Sequence, residues 1–184
     1  MNSIQGIRYI VNASPNHGKG PAFLSLAETA VVQAFHEALP EYAPTALVPL
    51  PELAESLRIK AAFIKDESSR FGLKAFKGLG GTYAVFRAVC ERLGLDYRET
   101  SFSELQSDKI HQQIAEMHFV TATDGNHGKG VAWAAAKLGC QAHVYLPKGS
   151  VQARAQAIRD IGKTAAVIAD LGYDDTVRYA AKLA

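Results

Sequence analysis

From residue 118 onward the chain alternates between two hydrophobic periods, and this alternation limits the folds open to it. Residues 118–123, 141–146 and 163–169 read as strands, rich in Val, Ile, Tyr, Phe and Thr. Between them, 126–138 and 151–161 carry helical spacing and end at Gly139 and Gly162. A third helical pattern opens at Asp174. Strand, helix, strand with short loops argues for a parallel sheet covered by helices, joined by right-handed crossovers.

The first hundred residues are less regular. Residues 6–11 alternate weakly, as an edge strand would, and 12–21 read as a loop. Ser25 with Glu28 forms a capping-box signature for a helix running through Val31, Val32 and Phe35 to about Leu39, where Pro40 stops it. Residues 42–47 are expected to be extended, because the residue before proline is pushed from the helical region. Pro51 can open a short helix to Arg58, and 61–65 read as a strand. Beyond Lys77, Tyr83, Phe86, Ala88, Val89 and Leu93 outline one apolar helical face, with Gly94 as its C-cap. A polar helix is expected from Phe102 to about Met117. The pentapeptide Asn-His-Gly-Lys-Gly occurs at 16–20 and again at 126–130. Its flanks differ, so it reads as coincidence and not as a duplication.

Composition removes several classes. The chain of 184 residues is 48% hydrophobic and 21% charged, ordinary for a globular protein, and its net charge is +2. The basic residues are scattered, so nothing points to nucleic acid. No apolar run reaches the ~18 residues of a membrane span, and the N-terminus lacks a signal pattern. Cys90 and Cys140 stand in apolar contexts, as two reduced, packed thiols of a cytoplasmic protein would. No CxxC or Cys/His spacing suggests zinc, and no metal is expected.

Two strings carry chemistry. Lys77 closes Phe71-Gly-Leu-Lys-Ala-Phe-Lys77, directly before Gly78-Leu-Gly-Gly81, and stands between an extended segment and a helical pattern. A lysine so placed can form an imine with a carbonyl cofactor, because a helix N-terminus, burial or a nearby cation favours the neutral amine. The second string, Thr123-Asp-Gly-Asn-His-Gly128, follows a strand and opens a helix, where parallel sheets bind ligands. Asn126 can donate to a phenolate oxygen, and Asp124 suits a base or the partner of an ammonium. The same string also fits an Asx-type turn capping a helix. His127 reads as a packing or capping residue, and Trp133 and Phe86 as core. Asp66 and Glu67 read as solvated or salt-bridged carboxylates. Lys148-Gly149-Ser150 lacks the upstream glycine of a phosphate loop and reads as a turn and an N-cap.

Three stretches resemble one family closely: Lys65-Asp-Glu-Ser-Ser-Arg-Phe through Tyr83, Thr121-Ala-Thr-Asp-Gly-Asn-His-Gly through Trp133, and Val144-Tyr-Leu-Pro-Lys-Gly-Ser150. Tyr173-Asp-Asp-Thr-Val177 agrees with them. They are similar to the diaminopropionate ammonia-lyases, which belong to the fold-type II pyridoxal-phosphate enzymes. Asp124 ahead of Gly-Asn-His is the more specific mark, since threonine dehydratases usually have a small residue there. The resemblance implies an α/β fold of parallel sheets with flanking helices. Residues 1–94 would be part of a large cofactor domain carrying the lysine, and 95–184 a small α/β domain. It implies pyridoxal 5'-phosphate as cofactor and α,β-elimination of 2,3-diaminopropionate to pyruvate and ammonia.

Within that resemblance Lys77 holds the cofactor and moves a proton at the substrate Cα. Asn126 bonds the ring hydroxyl, and Asp124 is a second proton acceptor that serves the opposite enantiomer. Thr123 and the backbone from Gly125 to His127 hold the substrate carboxylate. A homodimer is implied as well. Full-length members are longer, and their glycine-rich phosphate loop and the group facing the pyridine nitrogen are expected downstream of Ala184. This chain is therefore expected to be incomplete at its C-terminus and to retain the cofactor weakly unless a second chain completes the site. A threonine or serine dehydratase on the same fold, and a non-catalytic remnant, are the alternative readings.

Overall fold

The computed structural model describes residues 2–4, 7–9, 20–162 and 164–184, the first two segments as backbone. The chain divides into two compact units, Met1–Ala30 and Val31–Ala184. In the first, β1 (Asn2–Ile4) and β2 (Ile7–Tyr9) pair antiparallel, with Ile4 opposite Ile7. Sequence reading expects one edge strand over 6–11. Gly6, Ile10, Val11 and most of the expected loop after them lie outside the described residues. A 3-10 turn, Ala22–Leu24, precedes α1 (Leu26–Glu37), which carries the chain across the division. The expected N-cap is present, with the Ser25 hydroxyl accepting from Glu28 N at 3.2 Å.

In the second unit β3 (Leu47–Pro49) and β4 (Phe63–Lys65) pair antiparallel around α2 (Pro51–Leu57). Pro51 opens α2, where its missing N–H costs nothing, and Arg58 ends it in the left-handed region. A 3-10 turn, Arg70–Gly72, leads toward α3 (Lys77–Leu93). Thr82, Val85, Phe86, Val89 and Cys90 lie at helical spacing on the buried side of α3, and Gly94 caps it at φ 67°. The expected polar helix over 102–117 is two helices, α4 (Phe102–Leu105) and α5 (Asp108–Ile114). The cause is local. Ser107 is extended (ψ 146°), and both its amide and its hydroxyl donate to Glu104 O, the acceptor a continuous helix would reserve for residue 108.

The rest follows the alternating pattern. β5 (His118–Ala122), β6 (Gln141–Leu146) and β7 (Thr164–Ile168) form a parallel sheet in that order. α6 (Asn126–Lys137) and α7 (Gln152–Arg159) connect the strands, and α8 (Tyr173–Leu183) follows them. Burial alternates along β6. Ala142, Val144 and Leu146 are buried, whereas Gln141, His143 and Tyr145 are half-buried on the opposite face. There Tyr145 meets Tyr179 of α8 edge to face, with centroids 5.2 Å apart. The N-cap of α7 is Val151, not Ser150, whose amide is taken by Pro147 O in the preceding turn. Phe86, Val89, Leu105, Ile114, Leu146 and Ile158 are core residues, and Cys90 and Cys140 are buried among them. Burial pushes both thiols up to about 11, which leaves them inert. Among the described residues no helix is long and apolar enough to cross a membrane.

Candidate active site

Glycine brings the two chemical strings together. Among the described residues α3 packs on α6 more extensively than any other pair of elements, and at Gly81 and Gly130 the contact is backbone on backbone. A Cβ at Gly130 would stand 2.8 Å from the carbonyl oxygen of Lys77, and one at Gly81 would stand 3.0 Å from the carbonyl carbon of Gly130. Only residues without side chains permit that approach. Lys77, the first residue of α3, is thereby set against α6, whose N-terminus carries the second string.

The approach to Lys77 is held from both sides. Phe71 and Lys74 adopt positive φ (51° and 58°), a conformation that non-glycine residues rarely take. Such strain persists where surrounding contacts impose it. Phe71 stacks on Trp133 of α6 at 4.8 Å and 10°. Arg70, 4% exposed, makes a two-pronged ion pair with Glu67 at 2.8 and 3.0 Å and donates to Ala43 O at 2.8 Å. Thr45 donates to the same carboxylate. The Arg70 guanidinium beside it holds the Glu67 carboxyl down to about 2. This clamp ties residues 43–45 to the loop ahead of Lys77. Glu67 is thus a structural anion, one of the two roles its sequence context suggests.

The carboxyl end of β5 supplies the other wall. Thr123 is buried, and its hydroxyl accepts from the amides of Gly125 (2.9 Å) and Gly128 (3.2 Å). Gly125, the N-cap of α6, sits at φ 153° and ψ −80°, which an L side chain would resist. A Cβ at Gly128 would meet Thr123 Cγ2 at 2.6 Å and Val144 Cγ1 at 2.7 Å, so only glycine lets α6 lie this close to the sheet. The turn is made by the Thr123 hydroxyl and not by the Asx side chain that the sequence reading offers, and the N-cap residue Gly125 makes no side-chain cap bond.

Lys77 and the end of β5 line a cavity of about 440 Å³, a size ordinary for a small-molecule site. Lys77, Thr123, Asp124 and His127 share it with Val120, Thr121 and Ala122 of β5, and Tyr173, Val177 and Ala180 of α8. Lys77 is exposed there. Burial, and then the charge of Lys77, push the His127 imidazole below its usual value, favouring the neutral ring. Gly125 and Asn126 do not line this cavity. With Lys129 and Arg154 they line a smaller one of about 270 Å³, and Asp124 borders both. Arg154 fixes that loop by donating to Asp124 O at 3.1 Å. Sequence reasoning assigns no site role to the α8 wall or to Arg154. The signal for the wall is the Tyr173-Asp-Asp-Thr-Val177 string, which opens the helix after the last strand. The short Arg154 contact to the loop has no counterpart in spacing.

The donor set suits a carbonyl cofactor: a primary amine, a carboxylate, an imidazole and a buried hydroxyl around a cavity of sufficient volume at a helix N-terminus. Comparison with known proteins agrees. The family model described as "Pyridoxal-phosphate dependent enzyme" matches residues 38–184. The chain is 49% identical over 182 residues to diaminopropionate ammonia-lyase of Salmonella typhimurium, an alignment covering 97% of this chain and 45% of that protein. With the Escherichia coli K12 diaminopropionate ammonia-lyase it shares 44% identity over 163 residues, 88% of this chain and 39% of the other. The apo crystal structure of the Escherichia coli enzyme superposes with a TM-score of 0.80 at 42% identity, over 90% of this chain and 44% of that one. The chain spans less than half the length of the curated relatives it matches.

Proposed function

This chain belongs to the pyridoxal-phosphate dependent enzyme family, and from that membership and its cavity we propose that it serves the α,β-elimination of 2,3-diaminopropionate to pyruvate and ammonia. One observation carries the proposal: Lys77 and the strand-end loop with Thr123, Asp124 and His127 open into one cavity. When bound, pyridoxal phosphate supplies an electron sink for the pair left at the substrate Cα. The protein has to bind, orient and move protons. Lys77 Nζ is the group that would hold the cofactor and, once displaced from it by the substrate amine, would take the Cα proton from one face. The Asp124 carboxylate takes it from the other, which would let both enantiomers react.

The start of α6 offers positive potential to the substrate carboxylate. Because the Gly125 and Gly128 amides are engaged by Thr123 and Asn126 does not line the Lys77 cavity, the carboxylate falls to the His127 amide, and Thr123 acts by shaping the loop. Asn126 is assigned the ring hydroxyl on resemblance, and its exposed position allows its side chain to turn toward that group. In this reading 1–94 belongs to a large cofactor domain and 95–184 to a small one, and the working enzyme is a cytoplasmic homodimer. The domain division and the homodimer rest on the resemblance, the cytoplasmic placement on the two packed thiols.

The test is borohydride reduction of the protein with pyridoxal phosphate, peptide mass spectrometry, and pyruvate assays on a panel of 2,3-diaminopropionate, serine and threonine. The expected result is a label confined to Lys77, lost in Lys77→Ala, and preference for the diamine. Labels spread over surface lysines overturn the site. Preference for threonine or serine overturns the substrate.

A further inference from the structure

We infer that His118 and His143 form a two-histidine chelate for a first-row transition-metal ion, with Cu²⁺ preferred over Ni²⁺, on the sheet face opposite α6 and α7. His118 opens β5 and His143 lies mid-β6. The register sets His118 opposite Gln141 and Val120 opposite His143, so the two histidines are diagonal neighbours on one face. Nδ1 of His118 stands 2.9 Å from Nε2 of His143, and the rings stack at 5.1 Å with 16° between their planes. Neither residue lines the Lys77 cavity, and the elimination chemistry has no use for either. His118 is exposed and His143 half-buried, so an ion can reach both.

The ligand type selects the metal. Imidazole nitrogens bind at roughly 2.0–2.1 Å. Two of them at a right angle are then about 2.9 Å apart, and at a tetrahedral angle about 3.4 Å. In the metal-free pair 2.9 Å is the length of the ring-to-ring hydrogen bond, so a small ring rotation brings both nitrogens to one ion; imidazole ligands suit copper and nickel, and copper stands highest in the affinity order. Binding breaks the ring-to-ring hydrogen bond. The donating ring moves its proton to its other nitrogen, both lone pairs become available, and no proton is lost from the pair. Water completes the sphere, because no third His, Cys, Asp or Glu joins the group among the described residues. The pair is already oriented by two hydrogen-bonded strands, so little ordering is left for the ion to impose.

The experiment is a Cu²⁺ titration of the protein followed by electron paramagnetic resonance and ring-proton NMR. One equivalent coupled to two imidazole nitrogens is expected. The variants His118→Gln and His143→Gln should each bind at least tenfold more weakly and show a single nitrogen. Nickel should bind more weakly than copper. Substoichiometric Cu²⁺ should broaden the His118 and His143 ring signals first, a readout that needs no variant. Wild-type affinity equal to that of the double variant, or first broadening at His36, His111 or His127, overturns the assignment.

Discussion

Thr123 and Asp124 are adjacent in the chain and do different work. The Thr123 side chain is buried and spends its oxygen on two backbone amides. Thr123→Val keeps the shape and strands both donors, each costing roughly 1–3 kcal/mol when buried without a partner. The expected outcome is a fall in unfolding free energy of about that size per amide, read in urea melts, together with a weaker Lys77 label as the start of α6 loosens. Asp124 is exposed and borders both cavities. Asp124→Asn keeps the size and removes the base. Steady-state assays with each enantiomer of 2,3-diaminopropionate should show one slowed by about 100-fold or more, the scale of general-base catalysis, and the other largely retained. Equal loss for both enantiomers would assign Asp124 to binding instead. The sequence marks these two positions by their place between a strand and a helix. It does not say which of them faces inward, because burial is decided by how closely Gly128 lets α6 approach the sheet.

At the scale of elements, legibility follows the range of the forces. The strands and helices from β5 to α8 are legible because period, glycine caps and short loops are local signals; β6 falls on the expected residues, and the others within one or two. The break between α4 and α5 is not legible, because one serine hydroxyl outcompetes helical hydrogen bonding over a polar stretch with no strong period. The pairing of β3 with β4 depends on residues some sixteen apart closing around α2, which composition does not encode. The meeting of Lys77 with the α6 loop depends on Gly130 and Gly81, whose role appears only once α3 lies on α6. Gly130→Ala tests that contact. Its Cβ meets backbone, which cannot rotate away, so about 1–3 kcal/mol of overpacking is expected. Chemical denaturation should record that loss, and borohydride labelling of Lys77 should fall with it. An unchanged stability would mean that the helices separate freely and that the glycine contact does not set the lysine.

For the molecule as a whole, the Glu67–Arg70 clamp makes stability depend on pH in a definite direction. The folded state holds the Glu67 carboxyl down to about 2, chiefly through its hydrogen bonds to Arg70, from an ordinary value of 4.5. A carboxylate depressed on folding binds its proton more readily when the chain is unfolded, so acid favours unfolding. The contribution is complete above the unfolded value. It declines as pH falls below it and is gone once pH has passed through the folded value. Many carboxylates shift the melting curve in this range, so the informative quantity is the difference between wild type and Glu67→Gln. That difference should be constant from neutral pH down to about 5 and should shrink toward zero near pH 2. Arg70→Met, which leaves the carboxylate without its partner, should cost on the order of 3 kcal/mol at neutral pH and less in acid, where Glu67 can take a proton. A wild-type-minus-Glu67→Gln difference flat across the whole range would mean that the ion pair holds together residues already fixed by other contacts. The loop carrying Phe71 and Lys74 at positive φ would then owe its shape to the Phe71–Trp133 stack and the buried Leu73 and Ala75.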